Sequence, residues 1–269
     1  MNTNLKIITI IQARMGSTRL PGKVMLPLSG EPMILRMYER VSFSKSSGRI
    51  VVAITDDNAD DKLYKFLLKS DIETFRGNSL DLLDRHYQTA KKFNADAVVK
   101  IPSDCPLIDP KVIDEVIEYY ITNKDNYDFV SNLHPPTFPD GNDVEIMSFT
   151  ALQDAWINAK KDFEREHTTP YIWENPDKFR IGNVLWERNL DYSMTHRFTL
   201  DYKEDYEFIR RVYNELYNIN NRFGLDDILA LLESKPEIKK INQVYAGVNW
   251  YRNHINELKT ITSEKTKNI

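Results

Sequence analysis

Apolar positions in the first half of the chain fall into short continuous runs that alternate with stretches of helical spacing. Lys6 to Ile11 is a β-branched run and reads as a strand, and Met33 to Val41 carries the helical period. Arg49 to Ile54 is a second buried strand, stopped by the polar cluster Thr55 to Asn58. Asp60 to Lys69 places Leu63, Phe66 and Leu67 on one helical face, and Ser79 to Phe93 does the same with Leu82, Leu83, Tyr87 and Ala90. Ala97 to Ile101 is a third strand, and Pro110 stands at the entrance of a helix over Lys111 to Tyr120. Strands alternating with helices of this length predict an α/β fold with a mostly parallel sheet and helices on both faces.

The second half is less regular. Strands are expected over Phe129 to Asn132, Val144 to Met147, Phe179 to Trp186 and Phe198 to Leu200, with a Pro-rich loop from His134 to Gly141. Helices are expected over Phe149 to Lys161, Glu166 to Glu174, Glu204 to Leu216, Leu225 to Glu233 and Pro236 to Asn242, and a polar, mobile tail over 259–269.

With 269 residues and a net charge of -4, the chain has the balance of one large soluble enzyme domain, without the basic excess of a nucleic-acid binder. The single cysteine, Cys105, allows neither an intrachain disulfide nor a cysteine-cluster zinc site. No run resembles a signal peptide or a membrane span, so a cytoplasmic enzyme with no membrane partner is expected.

The charge that changes the picture is local. The first strand runs into a loop holding Arg14, Gly16, Arg19, Gly22 and Lys23. Arginine supplies a planar fork of donors, lysine a compact charge, and glycine lets backbone amides approach an anion. The loop is therefore either a polyphosphate cradle or a basic surface turn, and its spacing is not that of a Walker A motif. Asp104 follows the third strand at the end where open sheets place ligands, and a carboxylate there can hold Mg²⁺ or cap a turn. Asp201 ends the Phe198 to Leu200 run and is a second such carboxylate, whereas Asp205 suits the N-terminus of the next helix.

Gln12-Ala-Arg-Met-Gly-Ser-Thr-Arg-Leu-Pro-Gly-Lys-Val24, with Gly30-Glu-Pro-Met33, resembles the opening of the cytidylyltransferases that activate sugar acids. The likeness is greatest to their spore-coat-polysaccharide branch and runs from about Ile7 to Phe208. It implies a single nucleotidyltransferase domain (GT-A-like, Rossmann-like) over 1–258, with 129–195 contributing the acceptor site and a homodimer interface. It further implies that Arg14, Ser17, Arg19 and Lys23 surround the nucleotide phosphates, within a binding stretch that includes Ala13, Met15 and Gly16. Arg76 and Ser103 would touch nucleotide, and Asp104 and Asp201 would form a Mg²⁺ site. Asp143 and Glu145, in the loop beginning at Asp140, would line the acceptor site, joined by Arg165, His167 and Arg197 as candidates for an anionic acceptor.

The reaction so implied is transfer of CMP from CTP to a sugar acid or related small acidic acceptor, with release of pyrophosphate, in polysaccharide or glycan biosynthesis. The competing readings are a sugar-phosphate nucleotidyltransferase using CTP or UTP, and a noncatalytic nucleotide-sugar binding protein. Composition alone does not choose the base.

Overall fold

A computed structural model describes residues 5–267. The elements in chain order are β1 (Ile7–Gln12), β2 (Pro27–Leu28), β3 (Glu31–Pro32), α1 (Met33–Ser42), β4 (Arg49–Thr55), α2 (Asp61–Lys69), β5 (Thr74–Gly77), α3 (Leu82–Lys92), β6 (Ala97–Pro102) and α4 (Pro110–Thr122). Then follow β7 (Phe129–Ser131), β8 (Glu145–Ser148), α5 (Phe149–Asn158), α6 (Asp162–His167), α7 (Pro170–Trp173), β9 (Ile181–Asn183), α8 (Lys203–Leu216), α9 (Leu225–Ser234) and α10 (Pro236–Lys240).

Seven strands form one sheet in the order β5-β4-β1-β6-β8-β7-β9, and β2 and β3 pair separately. β1 lies between β4 and β6 and is parallel to both, while β8 runs against its two neighbours. The expected mostly parallel sheet is thus present with one reversed strand. Alternation along β1 splits its apolar residues between the two faces. Ile7 and Ile11 join a core with α1, α4, α8 and α9, and Ile8 and Ile10 join one with α3, α5 and α7.

Several expected elements differ. The Phe179 to Trp186 strand contracts to β9. Phe198 to Leu200 joins no sheet: Arg197 makes an isolated parallel bridge to Asp140, and Leu200 N–H donates to the Asp104 carbonyl at 2.7 Å. The segment is apolar because it is buried between two loops, which a sequence does not distinguish from a buried strand. The helix begun at Phe149 ends at Asn158, and Thr168, at φ +72°, separates α6 from α7. The described part of the tail is tied down: Glu174 accepts the N–H groups of Lys259 and Thr260, and Lys267 N–H donates to the Gly247 carbonyl. Residues 268–269 lie outside the described residues. Among the described residues no helix is long and apolar enough to cross a membrane.

Candidate active site

The carboxyl ends of β1 and β6 open on two adjoining cavities. One, of about 290 Å³, is lined by the loop after β1 together with Ser79, Leu82 and Arg85. The other, of about 230 Å³, lies over β6 and β8 and is lined by Lys100, Asn132, His134, Asp143 and Glu145. Gln12, Arg19, Pro102, Asp104, His167, Asp201 and Trp250 line both, so they form the wall where the two meet.

The loop is held from below by Asp60. Its carboxylate accepts Met15 N–H at 2.7 Å on one oxygen and the Thr55 N–H and hydroxyl on the other. Gly22 adopts φ +71° and its N–H closes the turn onto the Met15 carbonyl, which aims Lys23 back at the sheet. Ala13, Arg14, Ser17, Arg19 and Lys23 line the loop cavity. Met15 and Gly16 are not among its lining residues: Met15 packs against the core, and both shape the turn.

Asp104 and Asp201 are brought together by backbone bonds. Besides the Leu200 N–H, the Thr199 hydroxyl donates to the Asp104 carbonyl, fixing the 199–201 segment beside β6. Lys23 Nζ then lies 3.0 Å from Asp104 Oδ2, 3.0 Å from Asp201 Oδ1 and 2.6 Å from the Leu200 carbonyl oxygen. Arg19 Nη2 adds a contact of 2.7 Å to Asp201. Burial alone would raise the Asp201 carboxyl, but Lys23 and Arg19 outweigh it and hold it well below the ordinary carboxylate range. Burial likewise works against the charge of Lys23, and the two carboxylates overcome it, raising the ammonium group.

Arg197 is a buried clamp rather than a free acceptor-binding cation. It pairs with Asp140, Asp201 and Asp205 and donates to the Val248 carbonyl. Asp205 also accepts the N–H groups of Asp201 and Tyr202, capping α8 and fixing Asp201. Gly141 permits this packing: it sits at φ +101°, and a Cβ there would meet Phe198 backbone at 2.7 Å.

Asp143 and Glu145 do line the second cavity. Glu145 ion-pairs Lys100 and accepts the Thr169 hydroxyl, while Asp143, pushed up to about 6 by burial and the nearby Asp104, accepts the Gly141 N–H. His167 stacks on Trp250 with ring centroids 3.8 Å apart, and burial depresses its imidazole to about 3. It lines both cavities as a neutral ring, which carries no charge but has one N–H to donate. Ser103 lines the loop cavity beside Asp104.

Two cations expected in the site are elsewhere. Arg165 pairs with Asp81 and donates to the Trp156 carbonyl, joining α6 to the start of α3. Arg76 pairs with Asp61 and donates to the Thr55 and Asp57 carbonyls. Neither lines either of these two cavities. Conversely, Gln12, Lys100, His134, Trp250 and Arg85 line cavities without having been expected there. Lys100 had a readable signal, as a lone charge inside an apolar strand, and Gln12 shares the strand-end position that marks Asp104.

Comparison with known proteins agrees with this arrangement. The family model described as Cytidylyltransferase matches residues 8–236. The chain therefore belongs to the cytidylyltransferases, an enzyme family related to the CMP-sugar synthetases. It is 36% identical over 240 residues to an uncharacterized protein of Methanocaldococcus jannaschii, covering 88% of this chain and 95% of that one. It is 32% identical over 236 residues to the spore coat polysaccharide biosynthesis protein SpsF of Bacillus subtilis, covering 86% and 95%. A solved cytidylyltransferase structure from Leptospira borgpetersenii superposes with a TM-score of 0.82 at 35% identity, over 87% of this chain and 96% of that one.

Proposed function

We propose that this enzyme transfers CMP from CTP to the hydroxyl of a sugar acid or related small acidic acceptor, releasing pyrophosphate. The reading carries with it the spore-coat-polysaccharide branch, a role in surface polysaccharide or glycan biosynthesis, a cytoplasmic location and a homodimer to which 129–195 contribute. The observation that carries the reaction is the shared wall: two cavities, one cationic and one lined by polar and aromatic groups, meet at Asp104 and Asp201. Such an arrangement suits a donor in the first cavity and an acceptor in the second, with the reacting atoms at the boundary.

In that reading Arg14, Arg19 and Lys23 neutralise and orient the triphosphate. The acceptor oxygen bonds to the α-phosphorus as the bond to the β-phosphate breaks, and Lys23 faces the charge that develops on the departing pyrophosphate. Asp104 and Asp201 would hold Mg²⁺, which supplies charge neutralisation at the phosphate oxygens. Among the described residues no group of three or more His, Cys, Asp and Glu side chains is placed to hold a metal ion by itself. A carboxylate pair still suits an ion that takes one or two carboxylates and completes its shell with water and phosphate.

The second cavity favours a sugar acid over a sugar phosphate as acceptor. Among the described residues its buried cations are already matched, Lys100 by Glu145 and Arg197 by Asp140 and Asp205, which disfavours a phosphate dianion more than a singly charged carboxylate. The test is product mass. CTP, Mg²⁺ and a panel of sugar acids and sugar phosphates should give an acceptor-dependent CMP adduct, and Asp104→Asn should abolish it. CTP binding with no acceptor-dependent adduct across the panel would overturn the reading.

A further inference from the structure

The second cavity is closed in part by chain that follows residue 236, where the stretch matched to the family ends. Val248, Asn249, Trp250, Tyr251 and Lys265 all line it. The segment from 247 to 267 is fastened down as a strap. Leu258 is buried in the core shared with α3, α5 and α7, and Ile261 packs against that core. Glu174 accepts the N–H groups of Lys259 and Thr260 and the Thr260 hydroxyl. Asn249 Nδ2 donates to the Lys265 carbonyl at 2.9 Å, and Lys267 N–H donates to the Gly247 carbonyl at 2.8 Å. These last two bonds join the end of the strap to the turn carrying Trp250 and Tyr251. Lys265 is thereby set at the cavity by its backbone, which leaves its ammonium group free of that task.

Arg19, Lys100, Arg197 and Lys265 are the Lys and Arg side chains lining this cavity among the described residues. Arg19 contacts Asp201 at 2.7 Å, Arg197 contacts Asp205 at 2.9 Å, and Lys100 is paired with Glu145. Lys265 is the exception. Its ion pair, to Asp191 Oδ2, is 3.9 Å long, and its side chain is 35% exposed. Asp191 is held elsewhere, since its Oδ1 accepts the Ser193 N–H and hydroxyl. A long pair in contact with solvent contributes little, so an incoming carboxylate meets a cation that is not committed.

Two neutral groups of the same cavity also lack partners. His134 Nδ1 and Gln12 Oε1 are buried, and neither has a hydrogen-bond partner among the described residues. Buried polar atoms are costly unless a ligand or water satisfies them. One uncommitted charge with two neutral hydrogen-bonding atoms matches a molecule with one carboxylate and several hydroxyl groups.

We propose that Lys265 binds the carboxylate of the acceptor, and that the strap after residue 236 thereby sets which acceptors this enzyme takes. The assignment rests on the sugar-acid reading given above and adds to it the residue that selects the acid.

The test compares wild-type protein with Lys265→Gln, Lys265→Arg and Asp191→Asn. The probes are CTP, the sugar acid of the panel that yields the CMP adduct, and the neutral primary amide of that acid, measured as a competitive inhibitor. In Lys265→Gln the KM for the acid should rise about tenfold to a hundredfold, the range of one charge-assisted hydrogen bond. The loss should fall on KM rather than kcat, with calorimetric CTP affinity and melting temperature unchanged. Inhibition by the amide should be equal in wild type and Lys265→Gln, because it lacks the charge that the lysine meets. Lys265→Arg should restore most of the affinity for the acid. Asp191→Asn should leave the KM for the acid unchanged or lower, since the lysine loses only a long pair.

A KM for the acid that ignores Lys265, or an equal loss for acid and amide in Lys265→Gln, would overturn the proposal alone. If wild-type protein formed no CMP adduct with any sugar acid of the panel, the acceptor reading would fall, and the proposal with it.

Discussion

Lys23 and Asp201 form a buried pair with Nζ 3.0 Å from Oδ1, and the same ammonium group lies at equal distance from Asp104. One ammonium group thereby bridges two carboxylates from well-separated parts of the chain. Lys23→Met is expected to lower kcat by about 10²- to 10³-fold, the scale of losing one preorganised charge donor. It should also destabilise the fold by roughly 3 kcal/mol, because Asp104 loses its ion-pair partner and Asp201 keeps only Arg19 and Arg197. Lys23→Met/Asp201→Asn should recover part of that stability and none of the activity. Urea unfolding and steady-state kinetics on the three proteins measure both effects.

Arg197 organises the segment that carries Asp201, so its removal should act on the fold before it acts on chemistry. Arg197→Met leaves Asp140 and Asp205 without their shared cation, and a loss of about 3–5 kcal/mol is expected. Arg197→Lys should rescue little, since one ammonium group does not reproduce the fork that reaches three carboxylates. Chemical denaturation of both variants is the measurement.

Gly141→Ala tests the same segment from the other side. The positive φ and the 2.7 Å approach to Phe198 mean that a methyl group must push 198–199 away from Asp140. Lower thermal stability and lower turnover are expected together, with CTP affinity changed less than either, because the loop cavity is built by the β1 loop and α3.

The imidazoles give a pH dependence with a definite sign. Burial lowers His86 and His167 to about 3 and His134 to about 4, below the value of 6.5 for the free side chain. An unfolded chain therefore binds protons that the folded chain refuses between pH 6.5 and these lower values. Their contribution to stability is complete above pH 6.5 and is lost as the pH falls toward 3. Melting temperature should drop on acidification across that window, and His86→Leu should flatten the slope. Because His167 stays neutral, His167→Asn should change the height of the pH–rate profile between pH 5 and 8 without moving its inflections.

How far the sequence revealed this molecule depends on what each residue type reports. β1, β4 and β6 were legible because their apolar runs are buried on both faces, and Lys23, Arg19 and Asp104 because strand ends of an open sheet are where ligands collect. Phe198 to Leu200 was misread because burial between loops leaves the same apolar signature as burial in a sheet. Arg165 and Arg76 looked available because their partners, Asp81 and Asp61, are set by tertiary packing. Trp250, which stacks on His167 and closes both cavities, lies in a short turn late in the chain where no periodic pattern marks it.

The most direct test of the account follows the phosphorus atoms. Purified enzyme is incubated with Mg²⁺, the sugar-acid panel and CTP labelled with ³²P at either the α or the γ position. Transfer of α-label to the acceptor, with γ-label recovered as pyrophosphate and both lost in Asp104→Asn, is the predicted result. Appearance of γ-label on the acceptor, or equal transfer from all four ribonucleoside triphosphates, would contradict it.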